Sequence, residues 1–218
     1  KGRFVGSLAD ITVFSFFPTK NMTTCEGGAL SSQNSTLLDR ARLFARQGTI
    51  RDESHFFKES PGQWYHEFHS LGLNYRLPDV MCALGRSQLA RLNSFIARRS
   101  EIANHYQDSL SGLPEVELPD VAPWVEPAWH FFPVLVPSQH RTFVYEQLHK
   151  NGIRVQVNYI PVNTQPVFTS MGYSIESCPG ARDFYSRELS LPVHPNLGNR
   201  QLKRITKILI RILTDLRH

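Results

Sequence analysis

The chain has 218 residues, 41% of them hydrophobic, and a formal charge of +5. That is enough apolar content for a packed core in one large domain or two small ones, which excludes a disordered chain. No uninterrupted apolar span is long enough to cross a bilayer, and no charged-then-apolar leader with a small-residue cleavage site is visible. A cytoplasmic protein with no membrane partner is therefore expected. The basic residues are dispersed over helical patterns, Arg40, Arg42 and Arg46, then Arg98 and Arg99, then Lys203, Arg204 and Lys207. No aromatic stacking platform or groove-reading motif accompanies them, so nucleic acid is not expected as a partner, whereas a modest positive field suits a substrate bearing a diphosphate. Cys25, Cys82 and Cys178 are odd in number and far apart, so they are expected to be reduced and mostly buried.

The first informative stretch is Ile11-Thr12-Val13-Phe14, a β-branched and aromatic run, followed by Ser15-Phe16-Phe17-Pro18-Thr19-Lys20 and then Glu26-Gly27-Gly28-Ala29. This pattern puts Lys20 on a turn between two strands. An amine there can be a plain solvated cation. Its company suggests more, because Ser15 offers a hydroxyl and the glycines let backbone approach a ligand, which suits an aldehyde cofactor carrying a phosphate. Desolvation and neighbouring cations lower a lysine's pKa, as Schiff-base chemistry requires.

Leu37, Leu38, Ala41, Phe44 and Ala45 have helical spacing, with Ser35 as the cap and Gly48 as the stop, and this helix is expected to lay one face on the sheet. The stretch to Leu73 carries Phe56, Phe57, Trp64, Tyr65, His66, Phe68 and His69 without periodicity and reads as a long ordered loop with a short hairpin. His66 and His69 lack a third ligand at sensible spacing, so no metal is expected. Pro78 and Asp79 then open a long helix with Val80, Met81, Leu84, Leu92, Ile96, Ile102 and Tyr106 on its apolar positions. Asn74 and Arg76 stand just before its N-terminus, either as a simple cap with a surface arginine or as a meeting place for an anion.

A proline-rich connection over 113–127 precedes the apolar strand Phe131–Val136. A helix over 141–150 ends at Asn151-Gly152, and Ile153–Tyr159 alternates as a half-buried strand. A short helix over 181–189 and the turn Ser190–Pro195 lead to a last strand and a terminal helix. That helix carries an apolar stripe of Leu202, Ile205, Ile208, Leu209 and Ile212 that should cover the sheet.

The strings SFFPTKNMTTCEGGAL and GLNYRLPDVMCALGRSQLARL resemble the nucleotide-sugar aminotransferases, fold-type I enzymes that hold pyridoxal 5'-phosphate on a lysine. The resemblance implies an α/β fold, the C-terminal part of such an enzyme. Residues 1–77 would be a remnant of the large cofactor-binding domain, 78–112 a long linking helix, and 113–218 a small C-terminal α+β domain. By the match, Lys20 is the catalytic Schiff-base lysine and Ser15 a cofactor-phosphate ligand. Asn74 would bind the phosphate held by the partner subunit of a homodimer, and Arg76 an acidic group of substrate or amino donor. GIRVQVNYIPVNTQPVF is similar to the small-domain segment of the pseudaminic acid transaminases, which implies a UDP-linked 4-keto-6-deoxy-acetamido sugar as acceptor, L-glutamate as donor, and Tyr159 against the sugar. Asn158 and Asn163 stand where histidines are common in that group, and Phe17 where many relatives have histidine. The family's lysine segment lies near mid-chain and Lys1 is not a methionine, so this sequence is expected to be the second half of a longer protein. The rival expectation is a truncated, catalytically inactive relative acting as a binding or dimerisation module.

Overall fold

The computed structural model describes residues 2–216. The chain divides into two compact units, the first ending at Leu92 and the second beginning at Asn93.

In the first unit, β1 (Thr12–Ser15) and β2 (Gly28–Ser31) form an antiparallel ribbon in the register Thr12 to Ser31 through Ser15 to Gly28. Its apolar residues stay in solvent, Val13 at 74% exposure and Leu30 at 39%. Helix α1 (Ser35–Ala45) follows. Its cap is Asn34, one residue before the serine expected, because the Asn34 Oδ1 accepts the Leu37 amide at 3.3 Å. The expected packing of α1 onto the sheet is absent: no residue of this helix is buried, and Phe44 is 48% exposed. Strands β3 (Thr49–Ile50) and β4 (Glu67–Phe68) pair as the short hairpin expected within the long loop.

The single helix expected over 78–112 is two, α2 (Asp79–Leu89) and α3 (Leu92–Leu110). No Pro or Gly makes the break. The chain tightens there, with the Arg91 amide donating to the Gln88 carbonyl at 3.0 Å, and the Arg91 Nε takes the freed Ser87 carbonyl at 3.4 Å.

The second unit carries the core. Strand β5 (Phe132–Leu135) pairs antiparallel with a strand at Glu188–Leu191, Phe132 opposite Leu191. Between them come α4 (Ser138–Lys150), the single turn α5 (Pro166–Thr169) and α6 (Pro179–Arg187), so the later strand is β6; α7 (Asn199–Asp215) closes the chain. The last strand thus precedes the Ser190–Pro195 segment's turn rather than following it. Ile102, Tyr106 and Leu110 of α3, Val144 and Leu148 of α4, and Leu202, Leu209 and Leu213 of α7 are all buried against Phe132, Val134, Leu189 and Leu191. The apolar stripe of α7 covers this sheet as expected, with Ile208 only partly buried.

The strand expected over 153–159 keeps its alternation, Ile153 and Val155 being buried, but joins β6 through one bridge, Gln156 to Ser190. Side chains divert its other groups: His149 Nε2 bonds the Val155 carbonyl at 2.9 Å, and the Asn158 amide donates to Glu188 Oε2 at 2.7 Å. Arg99, 5% exposed, donates through one guanidinium nitrogen to the carbonyls of Val193, His130 and Trp129 at 2.8, 3.1 and 3.3 Å. This ties α3 to two loops by charge-assisted bonds.

The three cysteines are free, as expected, but exposed rather than buried. Cys25 and Cys82 sit in the first unit, where among the described residues no apolar side chain is buried, so there was no core to take them. No helix among the described residues is long and apolar enough to cross a membrane.

Candidate active site

Lys20 sits on the link between β1 and β2, partly buried, its own amide donating to the Phe17 carbonyl at 2.9 Å. The link is tied at its neck. The Phe16 amide donates to Gly27 O at 2.9 Å, and Phe16 O in turn accepts the Thr24 amide at 3.0 Å and the Thr23 hydroxyl at 2.9 Å. Thr24 is 1% exposed and gives its hydroxyl to Glu26 O at 2.8 Å. Around it there is no spare room: a Cβ at Gly27, whose φ is +147°, would meet Thr24 Oγ1 at 2.5 Å and Leu77 Cδ1 at 2.9 Å. A Cβ at Gly85 would stand 2.9 Å from the Thr24 methyl. The lysine link is thus packed between its own glycine and helix α2.

Ser15 ends β1 with its side chain exposed, and its Oγ accepts only a long 3.4 Å bond from the Phe17 amide. The donor set on this link, an amine with no side-chain partner among the described residues and a hydroxyl at a strand end, suits an aldehyde that carries a phosphate.

Asn74 and Arg76 form a second constellation. The Arg76 Nε donates to Asn74 Oδ1 at 2.7 Å, which engages the amide's oxygen and leaves its NH2 without a hydrogen bond among the described residues. Backbone pairing with the end of α1 places this loop: the Leu73 and Tyr75 amides donate to Phe44 O and Ala45 O at 2.8 and 2.9 Å, and the Gln47 amide donates to Leu73 O at 3.1 Å. The helix's last carbonyls, which need partners, are spent on positioning Asn74. The crossing requires Gly48, where φ is +72° and a Cβ would fall 1.8 Å from Ser70 O. Sequence reasoning marked Gly48 as a helix stop and missed this second role.

The aromatic loop beside it is organised by Glu67. Its carboxylate accepts the Phe57 and Lys58 amides at 2.7 and 2.9 Å, the Tyr65 hydroxyl at 3.2 Å, and bonds His69 Nε2 at 2.6 Å. His69 lies flat against Phe57, with ring centroids 4.1 Å apart. Burial pushes the carboxyl's pKa up, but the Phe57 amide, the His69 ring, the Lys58 amide and the Tyr65 hydroxyl outweigh it and hold it at about 2. A folded pKa below the ordinary 4.5 gives stability that is complete above that value and is lost as pH falls towards about 2. The Phe57 and Lys58 amide resonances should therefore titrate with a midpoint near 2; a midpoint near 4.5 would show that the loop does not hold the carboxylate.

Tyr159 belongs to the second unit and is 69% exposed, so it is not a packed strand-end tyrosine. The residue before it is anchored in the interior. Glu188, fully buried, accepts the Asn158 amide and the Ser190 hydroxyl, and Asn158 Nδ2 donates to Ser190 Oγ at 2.9 Å. Burial raises the Glu188 pKa despite the Ser190 hydroxyl, the Asn158 amide and the nearby Arg141 charge. Glu188→Ala strands two buried donors and should cost about 2–4 kcal/mol. Glu188→Gln, whose amide oxygen replaces only one acceptor, should fall between; equal melting temperatures for all three proteins would contradict the network.

The geometry therefore brings Ser15 and Lys20 onto one link and Asn74 and Arg76 onto one loop, both in the first unit, with Tyr159 in the second. Residues 1–210 match the DegT/DnrJ/EryC1/StrS aminotransferase family, and the chain belongs to it. It is 32% identical to the UDP-4-amino-4,6-dideoxy-N-acetyl-beta-L-altrosamine transaminase of Campylobacter jejuni, the match covering 98% of this chain and 55% of that protein. It is also 32% identical to the dTDP-3-amino-3,4,6-trideoxy-alpha-D-glucose transaminase of Streptomyces venezuelae, covering 94% and 51%. Among solved structures, Helicobacter pylori PseC, an aminotransferase involved in the biosynthesis of pseudoaminic acid, superposes with a TM-score of 0.85 at 30% identity, over 99% of this chain and 56% of that one. The fold is that of the fold-type I aminotransferases, a pyridoxal-phosphate-dependent class whose solved neighbours include PLP and PMP forms. The chain spans about half the length of the relatives it matches.

Proposed function

We propose that the protein takes part in moving an amino group from L-glutamate to a UDP-linked 4-keto-6-deoxy-acetamido sugar, in nucleotide-sugar synthesis of the pseudaminic acid type, as a cytoplasmic homodimer with shared active sites. The observation that carries the reading is Lys20, partly buried on a tied link with the Ser15 hydroxyl at the strand end, inside a chain of this family. When bound, pyridoxal phosphate supplies an electrophilic carbon and a ring that spreads negative charge. Lys20 Nζ would be the base that takes the proton from the donor's alpha carbon and hands it on within the first half of the reaction, and the acid that delivers a proton to the sugar's former carbonyl carbon in the second. Ser15 Oγ and, from the second copy, the NH2 of Asn74 would hold the phosphate. Arg76 pairs with an acidic group of donor or substrate, and Tyr159 touches the sugar.

The equal identity to a dTDP-sugar enzyme supports a second reading of the acceptor, with the same chemistry and a different nucleotide. Single-turnover assays of the full-length natural polypeptide with UDP- and dTDP-linked keto sugars separate the two. Faster turnover of the dTDP sugar overturns the first. Turnover of neither, with glutamate present, overturns both.

A further inference from the structure

The last hold on the chain before Tyr159 is made by side chains and not by the sheet. The Gln156 segment meets β6 through one bridge, the Ser190 amide donating to Gln156 O at 2.8 Å and the Gln156 amide to Ser190 O at 3.3 Å. Two residues further on, the Asn158 amide leaves that pairing and donates to Glu188 Oε2 at 2.7 Å. A ring closes behind it: Ser190 gives its hydroxyl to Glu188 Oε1 and accepts Asn158 Nδ2 at 2.9 Å. Glu188 and Ser190 are 0% and 4% exposed, on the strand that pairs with β5. Arg141, whose guanidinium carbon lies 5.5 Å from the Tyr185 ring centroid, supplies a nearby positive charge.

Beyond Asn158 no other bond takes over. Among the described residues, Tyr159 and Ile160 make no hydrogen bond, and they are 69% and 51% exposed. The next tie is a turn of its own, in which the Thr164 amide and hydroxyl donate to Pro161 O at 2.9 and 2.6 Å. A backbone amide needs one acceptor, which a regular strand takes from its neighbour's carbonyls, and a buried carboxylate costs stability unless its oxygens are filled. Glu188 is therefore a costly way to satisfy one amide, and its geometric effect is to draw the chain off the sheet immediately before Tyr159. We propose that Glu188 is a positioning residue for acceptor recognition: gripping Asn158 directly and through Ser190, it sets the direction in which Tyr159 leaves the sheet and so governs sugar binding without touching the sugar. This rests on the function proposed above, in which Tyr159 contacts the sugar; the grip itself does not.

The test compares the two half-reactions in the cofactor-loaded, full-length natural polypeptide and its variants. Glu188→Gln should raise KM for the UDP-linked keto sugar and slow the sugar half-reaction at least about 10-fold, leaving the glutamate half-reaction within about twofold. In a Tyr159→Ala background the same change should add less than about twofold, since both act on one contact. The backbone order parameter of Tyr159, read by NMR, should fall below about 0.6 in Glu188→Gln while α7 stays near about 0.85, a change that loss of global stability alone does not produce. Should Glu188→Gln fail to accumulate, Ser190→Ala, which opens the ring and keeps the carboxylate, carries the same measurements. Equal slowing of both half-reactions, additive effects of Glu188→Gln and Tyr159→Ala, or an unchanged order parameter overturns the proposal. So does a sugar half-reaction that Tyr159→Ala leaves untouched. If the natural protein completes the glutamate half-reaction and turns over no keto sugar, yet Tyr159 loosens in Glu188→Gln, the acceptor proposed above fails and the grip on Tyr159 stands.

Discussion

Lys20→Ala in the full-length natural polypeptide should lower amino transfer by at least about 10³-fold and remove the visible absorbance of bound cofactor. On the function proposed above two losses would combine: the covalent attachment of pyridoxal phosphate and the base at the donor's alpha carbon. The link itself should survive, because its ties run through Phe16, Thr23, Thr24 and Gly27 and do not involve the Lys20 side chain. Lys20→Arg is the sharper control. It keeps a cation at the same place but offers no amine that can be deprotonated near neutral pH, so it should be as inactive as the alanine variant. A small primary amine added to the alanine variant should restore part of the proton transfer. Turnover within tenfold of the natural protein in either variant would remove Lys20 from the chemistry.

Phe132→Ala should be the most damaging single truncation of the second unit, at about 3–5 kcal/mol. The ring is 1% exposed and lies 5.3 Å, centroid to centroid, from both Tyr106 and Trp129. It therefore links α3, β5 and the segment that Arg99 holds. Domains are stable by only about 5–15 kcal/mol, so a loss of this size should show as a large fall in melting temperature or as failure to accumulate. Phe132→Leu, which keeps most of the apolar volume, should recover more than half of it. A melting temperature within a degree or two of the natural protein for the alanine variant would contradict the packing described.

The second unit was legible in the sequence because its elements bury their own faces. The period of Leu202, Ile205, Leu209 and Ile212 reports directly on what α7 covers. The first unit was less so: Leu37, Leu38 and Phe44 have the spacing of a packed helix face, yet α1 buries none of it, since spacing reports amphipathicity and not whether a surface is there to receive it. Single bonds were invisible too. Pairing of the Leu73 and Tyr75 amides with the end of α1, which places Asn74, depends on carbonyls that every helix has. The loss of a regular strand at 153–159 depends on His149 and Glu188, one before that segment and one well after it. Lys20 was singled out through the residues flanking it, whereas the bonds that tie its link at Phe16, Thr23 and Thr24 leave no pattern in the sequence.

Val13 and Leu30 face each other across β1 and β2 with both side chains in solvent. A ribbon of two strands is marginal by itself in water, and it is the stem from which Lys20, the amine proposed for the chemistry, hangs. On the function proposed above, anything that paired along that stem would stiffen it and sharpen the aim of Nζ. Catalytic competence would then depend on how firmly the stem is held, and loosening it should blunt the chemistry without touching a reactive atom.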